Sequence, residues 1–404
     1  MNGNEGKLER GSELAKLAWM ALTLTPEMGP TRVRRAMERL RGTVGAAGLF
    51  DVPLTELEAC GLPATSAQFV YEGKAREAAE AEVEKIRAAG GDFLTQECAA
   101  YPQRLLEIYD PPTVLWTLGN VEILNRPGLA VVGTRHPTPY GTAMTQVLAR
   151  DLALRGLAIL SGMARGIDTA AHKAALEAHG RTVAVWGTGI DVIYPKENKK
   201  LAEQILASGG AILSEFRMGT FPAPQNFPVR NRVLSGMSVG VLVVEAGEYS
   251  GTRITSRCAL EQNRDVFAVP GNVTSKGSWV PNSLIKQGAK LTATWEDVWE
   301  ELPTEVRLQL EQALGEATET QGLLPGLESA GTEGASILSS AEGLPDSQRL
   351  VLEELRVDES TQLDELIERL DGRLGSAEIF TALFELEIAG RVRQLPGKNY
   401  VRAL

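Results

Sequence analysis

The chain has 404 residues, 43% of them hydrophobic and 23% charged, with a formal net charge of −11. That length predicts two or three domains. No apolar run is long enough to span a bilayer, and the N-terminus MNGNEGKLERGSELAK lacks the apolar core of a signal peptide, so a cytoplasmic protein with no membrane contact is expected. Cys60, Cys98 and Cys258 give neither a disulfide framework nor zinc spacing, and His136, His172 and His179 are too scattered for a metal site, so no metal or cofactor is expected. The acidic balance weighs against a nucleic-acid partner unless a local basic pocket sits within it.

Residues 8–110 read as mostly helical, with apolar residues at helical spacing in KLAWMALTLTPEMGPTRVRRAMERL and KAREAAEAEVEKIRAAGGDFL, and residues 1–110 are assigned to a helical N-terminal domain. Within it, residues 22–40 resemble a helix-hairpin-helix, with Met28-Gly29-Pro30 as the hairpin and Thr31 as a cap. Arg32, Arg34 and Arg35 favour an auxiliary DNA contact there, against a bundle that only packs on its neighbour.

Residues 111–300 alternate near-continuous apolar strands, at 129–133, 157–162, 182–187, 211–216, 240–247 and 265–271, with helices at 140–155, 168–179, 196–208, 228–237, 252–263 and 281–288. Repeated βα units of this kind predict a doubly wound α/β parallel sheet. The acidic, Gly/Ser/Thr-rich residues 301–345 read as a flexible linker. Residues 346–404 give three helices, at 347–356, 361–370 and 375–389, and then GRVRQLPGKNYVRAL, a winged-helix pattern. The third helix carries Glu378, Glu385 and Glu387 and no Lys or Arg, which points to protein interaction or regulation, although Arg391, Arg393, Lys398 and Arg402 make the wing basic.

Ligands of such sheets sit at the carboxyl ends of the strands, and the unusual residues collect there. The first strand ends in Gly133, Thr134 and Arg135. The second ends in Ser161, Gly162, Met163, Arg165, Gly166 and Asp168, and the third in Gly187, Gly189, Lys196, Asn198 and Lys199. The fourth leads through Glu215 to QNFPVRNR, with Asn226, Arg230, Asn231 and Arg232; the fifth leads to Glu245, Ser250, Gly251 and Thr252. Glycine there permits close backbone approach, and a following helix offers N–H groups to an anion. No P-loop is present, and GTG at 187–189 lacks the third glycine of a dinucleotide fingerprint. Arg135, Arg165, Lys196, Lys199, Lys200, Arg230 and Arg232 exceed what one or two phosphates require and suit a polyanion such as single-stranded nucleic acid. Met163, Tyr194, Phe221 and Phe227 are either stacking platforms or loop anchors packed into the core. His172 reads as structural.

GTRHPTPYG, SGMARGIDTAAH, VWGTGIDVIYPKEN, SEFRMGTFPAPQNFPVRNRVLSGMS and the long block from VVEAGEYSGTRIT to NSLIKQGA fall in order over residues 129–291 and resemble the DprA (DNA-processing protein A, Smf) family. The resemblance implies an extended Rossmann-type domain that binds single-stranded DNA, preceded by a domain similar to a sterile-alpha-motif fold. It implies a homodimer that protects incoming strands, loads the RecA recombinase in natural transformation and helps displace single-strand-binding protein. It carries DNA contact onto Gly133, Arg135 and Lys196, with Arg230, Asn231 and Arg232 in the PVRNR block. Thr134, where a serine is usual, and His136 after the arginine are departures in detail. Residues 252–291 supply either a dimer interface or core packing. The implied function is not enzymatic. The alternative is a nucleotide phosphoribohydrolase-like enzyme on a related Rossmann fold, since EAGEYSGTRIT resembles the glycine-threonine loop of that class, with Glu245 as general base and Ser250, Gly251 and Thr252 cradling a phosphate.

Overall fold

The computed structural model describes residues 2–320, 344–357, 360–395 and 397–402. Helices α1 (Asn2–Leu24), α2 (Pro30–Thr43), α3 (Leu54–Ala59), α4 (Ala64–Tyr71) and α5 (Lys74–Ala88) form the N-terminal unit. Their apolar stripes close on Trp19, Met20, Leu22, Met37, Leu40 and Ile86. The residue capping α2 is Gly29, not Thr31. Proline at the first helical position already supplies the helical φ, so Thr31 falls inside the first turn and Gly29 is the extended residue before it.

The second unit runs through β1 (Asp92–Thr95), α6 (Gln103–Leu106), β2 (Val114–Gly119), β3 (Gly128–Val132), α7 (Pro139–Leu154), β4 (Ala158–Ser161) and α8 (Ile167–Glu177). It continues through β5 (Thr182–Trp186), α9 (Lys199–Ala207), β6 (Ala211–Ser214), α10 (Asn226–Met237), β7 (Gly240–Val243), α11 (Thr252–Glu261), β8 (Asp265–Ala268), α12 (Trp279–Lys286) and β9 (Lys290–Leu291). The nine strands make one sheet, ordered β1-β2-β6-β5-β4-β3-β7-β8-β9. From β6 to β9 every pairing is parallel, whereas β2 joins β6, and β1 joins β2, antiparallel. The six predicted strands are β3 to β8, and the parallel body adds the two-residue β9, which the sequence reading did not list. The sequence reading missed β1 and β2, and its boundary at 110 cuts between them. The short DFLT of β1 directly follows a strongly helical run, so no period-2 pattern has room to register.

Alternation along each strand sorts the core onto two faces. Ala130, Val132, Leu160, Val185 and Val243 pack with Leu234, Met237, Ala259 and Val280 of α10, α11 and α12. Leu129, Val131, Ile159 and Leu242 pack with Leu148, Leu152, Ala171 and Ala175 of α7 and α8. The chain winds outward from β3 to β6 and then returns to β7 on the other side of β3, so the winding reverses between β3 and β7.

Beyond β9 come α13 (Trp295–Glu301) and α14 (Thr304–Thr320). The second of these occupies residues expected to be linker. Val306 and Leu310, one turn apart, are buried with Val298 and Leu302 on the α7 face, which holds this stretch as helix despite its polar composition. Residues 321–343, the rest of that predicted linker, lie outside the described residues. The last unit is a winged helix: α15 (Asp346–Glu354), β10 (Thr361–Gln362), α16 (Leu363–Leu370), α17 (Ser376–Ile388), β11 (Val392–Leu395) and β12 (Asn399–Arg402), with its own core of Val351, Leu366, Ile379, Leu383 and Leu386. Among the described residues no helix is long and apolar enough to cross a membrane. No group of three or more His, Cys, Asp or Glu among them is arranged to hold a metal ion.

Glu82 of α5 fastens the N-terminal unit to the sheet. It is buried, and its Oε1 accepts from Trp116 Nε1 of β2 at 3.1 Å and from the Met218 N–H at 2.6 Å. Glu82→Ala leaves both donors unpaired. It should cost at least about 1–3 kcal/mol in urea unfolding, and Glu82→Gln, which keeps an acceptor, should cost clearly less.

Candidate nucleic-acid interface

The loops after β3, β4, β5 and β7 and the start of α10 meet at the carboxyl edge of the sheet around one side chain, Arg230. Its Nη1 donates to the carbonyls of Gly162 and Val185, both at 2.6 Å, and its Nε donates to Asn231 Oδ1 at 3.0 Å. The guanidinium ties the β4 loop to β5 and is itself buried. Gly162 is required here: a Cβ would run into that guanidinium. Asp168, at the start of α8, is buried beside it and accepts from the N–H groups of Gly162 and Ala164 at 3.1 and 3.2 Å. Burial raises the Asp168 carboxyl despite the pull of Arg230, and burial lowers Arg230 despite Asp168. His172, one turn further along α8, bonds Thr182 Oγ1 through Nδ1 at 2.7 Å; burial, then Arg230, pushes it down to about 3.

Two hollows open over this base. A cleft of about 760 Å³ lies at the reversal between β3 and β7, lined by residues 132–136 and 247–252 and by Asn231, Thr255, Lys276 and Trp279. A smaller hollow of about 50 Å³ lies between Arg135, Arg165, Gly187, Tyr194 and Pro195. Arg135, Ala164, Phe227 and Arg230 line both and form the wall between them. On that wall the Arg135 and Arg230 guanidinium carbons stand 5.8 and 5.9 Å from the centre of the Phe227 ring, and Tyr194 packs against Phe227 at 5.8 Å between centroids.

The structure gathers most of the predicted residues but gives them different tasks. Arg135 and Lys196 are exposed and, among the described residues, make no ion pair or hydrogen bond through their charged ends. Arg165 is exposed but paired with Glu197, and Lys199 lies 3.9 Å from Glu203. Arg232 departs from the expectation. It points away from the groove into an ion pair with Glu215 and bonds to Asp110, because on a helix it lies about 100° around from its neighbour Asn231. Burial pushes Glu215 up to about 7 against the pull of Arg232.

Ser161, Met163 and Asn198 are also internal rather than ligand-facing. Ser161 donates to the Val131 carbonyl, Met163 packs among Ala184, Trp186 and Leu201, and Asn198 donates to the Met163 carbonyl and to Thr169. Asn226 is buried and holds the Gly187 carbonyl at 3.1 Å. At Gly133 the close approach is the protein's own, since a Cβ would sit 2.5 Å from Ile167 and 2.8 Å from the Glu245 carbonyl. Thr134 lines the larger cleft, and its N–H donates to that same carbonyl at 2.6 Å. Gly187 lets the Phe227 ring close on the β5 loop; Gly189 touches neither hollow and instead packs against Asp191 and the Arg217 carbonyl. Gly251 and Thr252 line the larger cleft.

Glu245 does not face either hollow. Its carboxylate is buried and accepts from the Thr138 N–H at 2.8 Å and the Thr138 hydroxyl at 2.6 Å, so it orders the start of α7 and is not placed as a general base. Sequence reasoning missed Tyr249, Thr255, Lys276 and Trp279 as cleft residues. The signal available for two of them was their position in the loops after β7 and β8.

The family described as DNA recombination-mediator protein A matches residues 92–303, and the DprA winged helix domain matches residues 338–398. Protein Smf of Escherichia coli is 40% identical over 302 residues, which is 75% of this chain and 75% of that protein. The DNA processing protein DprA of Bacillus subtilis is 45% identical over 204 residues, 50% of this chain and 68% of its own length. The X-ray structure of DNA processing protein A from Streptococcus pneumoniae superposes with a TM-score of 0.62 at 34% identity, covering 70% of this chain and 96% of that one.

Two measurements follow from the buried cluster. Arg230→Met removes the charge facing Asp168 and the donors to two carbonyls, and should lower the unfolding free energy by about 3–5 kcal/mol. His172 is held at about 3 against an ordinary 6.5, so below 6.5 the unfolded chain takes up a proton that the folded one refuses. Its contribution therefore falls as pH drops from 6.5 toward 3, by up to about 1.4 kcal/mol per pH unit. Denaturation between about pH 6.5 and pH 5 should show a shallower decline in His172→Asn than in the parent.

Proposed function

Because the chain belongs to the DprA/Smf family of DNA recombination-mediator proteins, we propose that it grips single-stranded DNA along the carboxyl edge of its parallel sheet. The observation that carries this reading is the pairing, on one wall, of Arg135, a guanidinium without an acidic partner among the described residues, with the Tyr194–Phe227 ring pair, with the exposed Lys196 directly after Pro195 of the smaller hollow. Phosphates are met by Arg135 and Lys196, with Lys200 beyond them, and bases rest on the aromatic faces, the combination that suits a single strand rather than a duplex. Arg230, Asn231, Asn226, Ser161 and Asn198 position these groups from beneath.

The same proposal has the chain act by binding rather than catalysis. Within the cytoplasm it would work as a homodimer that shields incoming strands, hands them to the RecA recombinase and helps displace single-strand-binding protein. The winged helix serves protein contact, since the exposed side of α17 carries Glu378, Glu385 and Glu387 and would repel phosphate.

Arg135→Ala and Lys196→Ala should each weaken binding of a fluorescent oligothymidylate about tenfold and reduce the slope of log affinity against log salt by about 0.7, the increment for one phosphate contact on a single strand. Unchanged affinity and slope in both variants would overturn the assignment.

A further inference from the structure

The cleft between β3 and β7 holds more recognition chemistry than the strand-binding wall uses. Two of its lining groups are nine-tenths or more buried and without a partner: the Thr255 hydroxyl, on a residue 2% exposed, and the Asn231 side-chain amide nitrogen, on a residue 9% exposed. Neither makes a hydrogen bond through that atom among the described residues, and neither atom is sealed from the cleft. The oxygen of the Asn231 amide is already engaged by Arg230, which fixes the group and leaves its N–H donors without a partner among the described residues. Both atoms reach the open cleft from otherwise buried residues, so each is held in a fixed position and free to hydrogen-bond to a ligand there.

Around these two groups stand a cation and flat apolar surfaces. Lys276 is exposed, lines the cleft and has no ion-pair partner among the described residues. Trp279 is 44% exposed with the Arg253 guanidinium 5.5 Å from its ring centre, and Tyr249 is 94% exposed. Arg135 contributes its charge from the dividing wall. The acids of the lining are Asp168, whose Oδ2 is bound by two backbone N–H groups, and Glu248 at the rim. The volume of about 760 Å³ falls in the range of small-molecule pockets, and the place is the winding reversal where open α/β sheets take ligands.

We propose that this cleft binds a free nucleoside 5′-monophosphate, separately from the DNA strand held on the Tyr194 side of the wall. The phosphate pairs with Lys276, the base lies against Trp279 and Tyr249, and the polar edge of the nucleotide engages the Asn231 amide and the Thr255 hydroxyl. No bond is made or broken: Glu245 is engaged with Thr138, so the cleft is a binding site. The inference does not depend on the strand-binding reading, because Thr255, Lys276 and Trp279 have no part in it.

Isothermal titration of the full chain with AMP, adenosine and inorganic phosphate tests it, beside anisotropy titrations of oligothymidylate. One-to-one saturation by AMP, with adenosine and phosphate much weaker, is expected. Thr255→Val and Lys276→Ala should each weaken AMP about tenfold, the loss of one hydrogen bond or ion pair in a partly buried site, and leave oligothymidylate affinity unchanged. Valine matches threonine in shape and Lys276 is exposed, so both chains should fold. The proposal is overturned if AMP fails to saturate at millimolar concentration, or if neither substitution changes its affinity. It is equally overturned if a 5′-phosphorylated oligonucleotide competes with AMP and loses affinity in the same two variants, which would assign the cleft to the end of a strand. The strand-binding reading stands or falls on Arg135→Ala and Lys196→Ala.

Discussion

A guanidinium sealed under the carboxyl edge of the sheet is the constraint on which the site rests. Parallel strands expose unmatched carbonyls where they end, and loops leaving those ends have no ladder to hold them. Arg230 supplies the missing donors to Gly162 and Val185 and takes its counter-charge from Asp168, which in turn holds two N–H groups of the β4 loop. The β4 loop, β5 and the start of α10 thereby acquire one geometry. The arrangement tolerates no substituent at Gly162, and it needs the neighbouring Asn231 to orient the arginine. A buried charge of this kind gains little net stability over an apolar replacement, but its loss leaves several groups stranded at once.

The electrostatics of the groove are leaner than a count of basic residues suggests. Seven cations lie on these loops and the helices that follow them, yet Arg165 and Arg232 are held by Glu197 and Glu215, Lys199 faces Glu203, and Arg230 is inside. Arg135, Lys196 and Lys200 remain for a ligand on an otherwise acidic chain of net charge −11. A few charges beside aromatic rings and a preorganised backbone give a grip that depends on shape as well as field. An acidic chain can thus carry a local site suited to an anion.

The parallel body of the sheet was legible because its strands are buried on both faces and so read as unbroken apolar runs. The winged helix was legible from its helix spacing and turn residues. The antiparallel pair β1 and β2 was not, β1 because four residues beside a long helix carry too little pattern; nor was α14, whose hold on the core depends on Val306 and Leu310 amid polar neighbours. At the candidate site, the sequence reading put its residues at the carboxyl edge of the strands, and the structure brings those loops together around Arg230. It could not separate Arg230, turned inward, from Arg135, turned outward, because adjacent-loop contacts decide that and leave no local trace. The same limit hid Thr255 and Lys276, which enter the cleft only once α11 and the loop after β8 are folded against β7.

The ends of the sheet carry a consequence of their own. One border strand, β1, has four residues, and the other, β9, has two, one of them a lysine. Neither offers a run of free main-chain groups long enough to template a neighbouring molecule. Copies of this chain brought close together therefore meet through their helices and side chains, and are guarded against fusing into continuous β-ribbons.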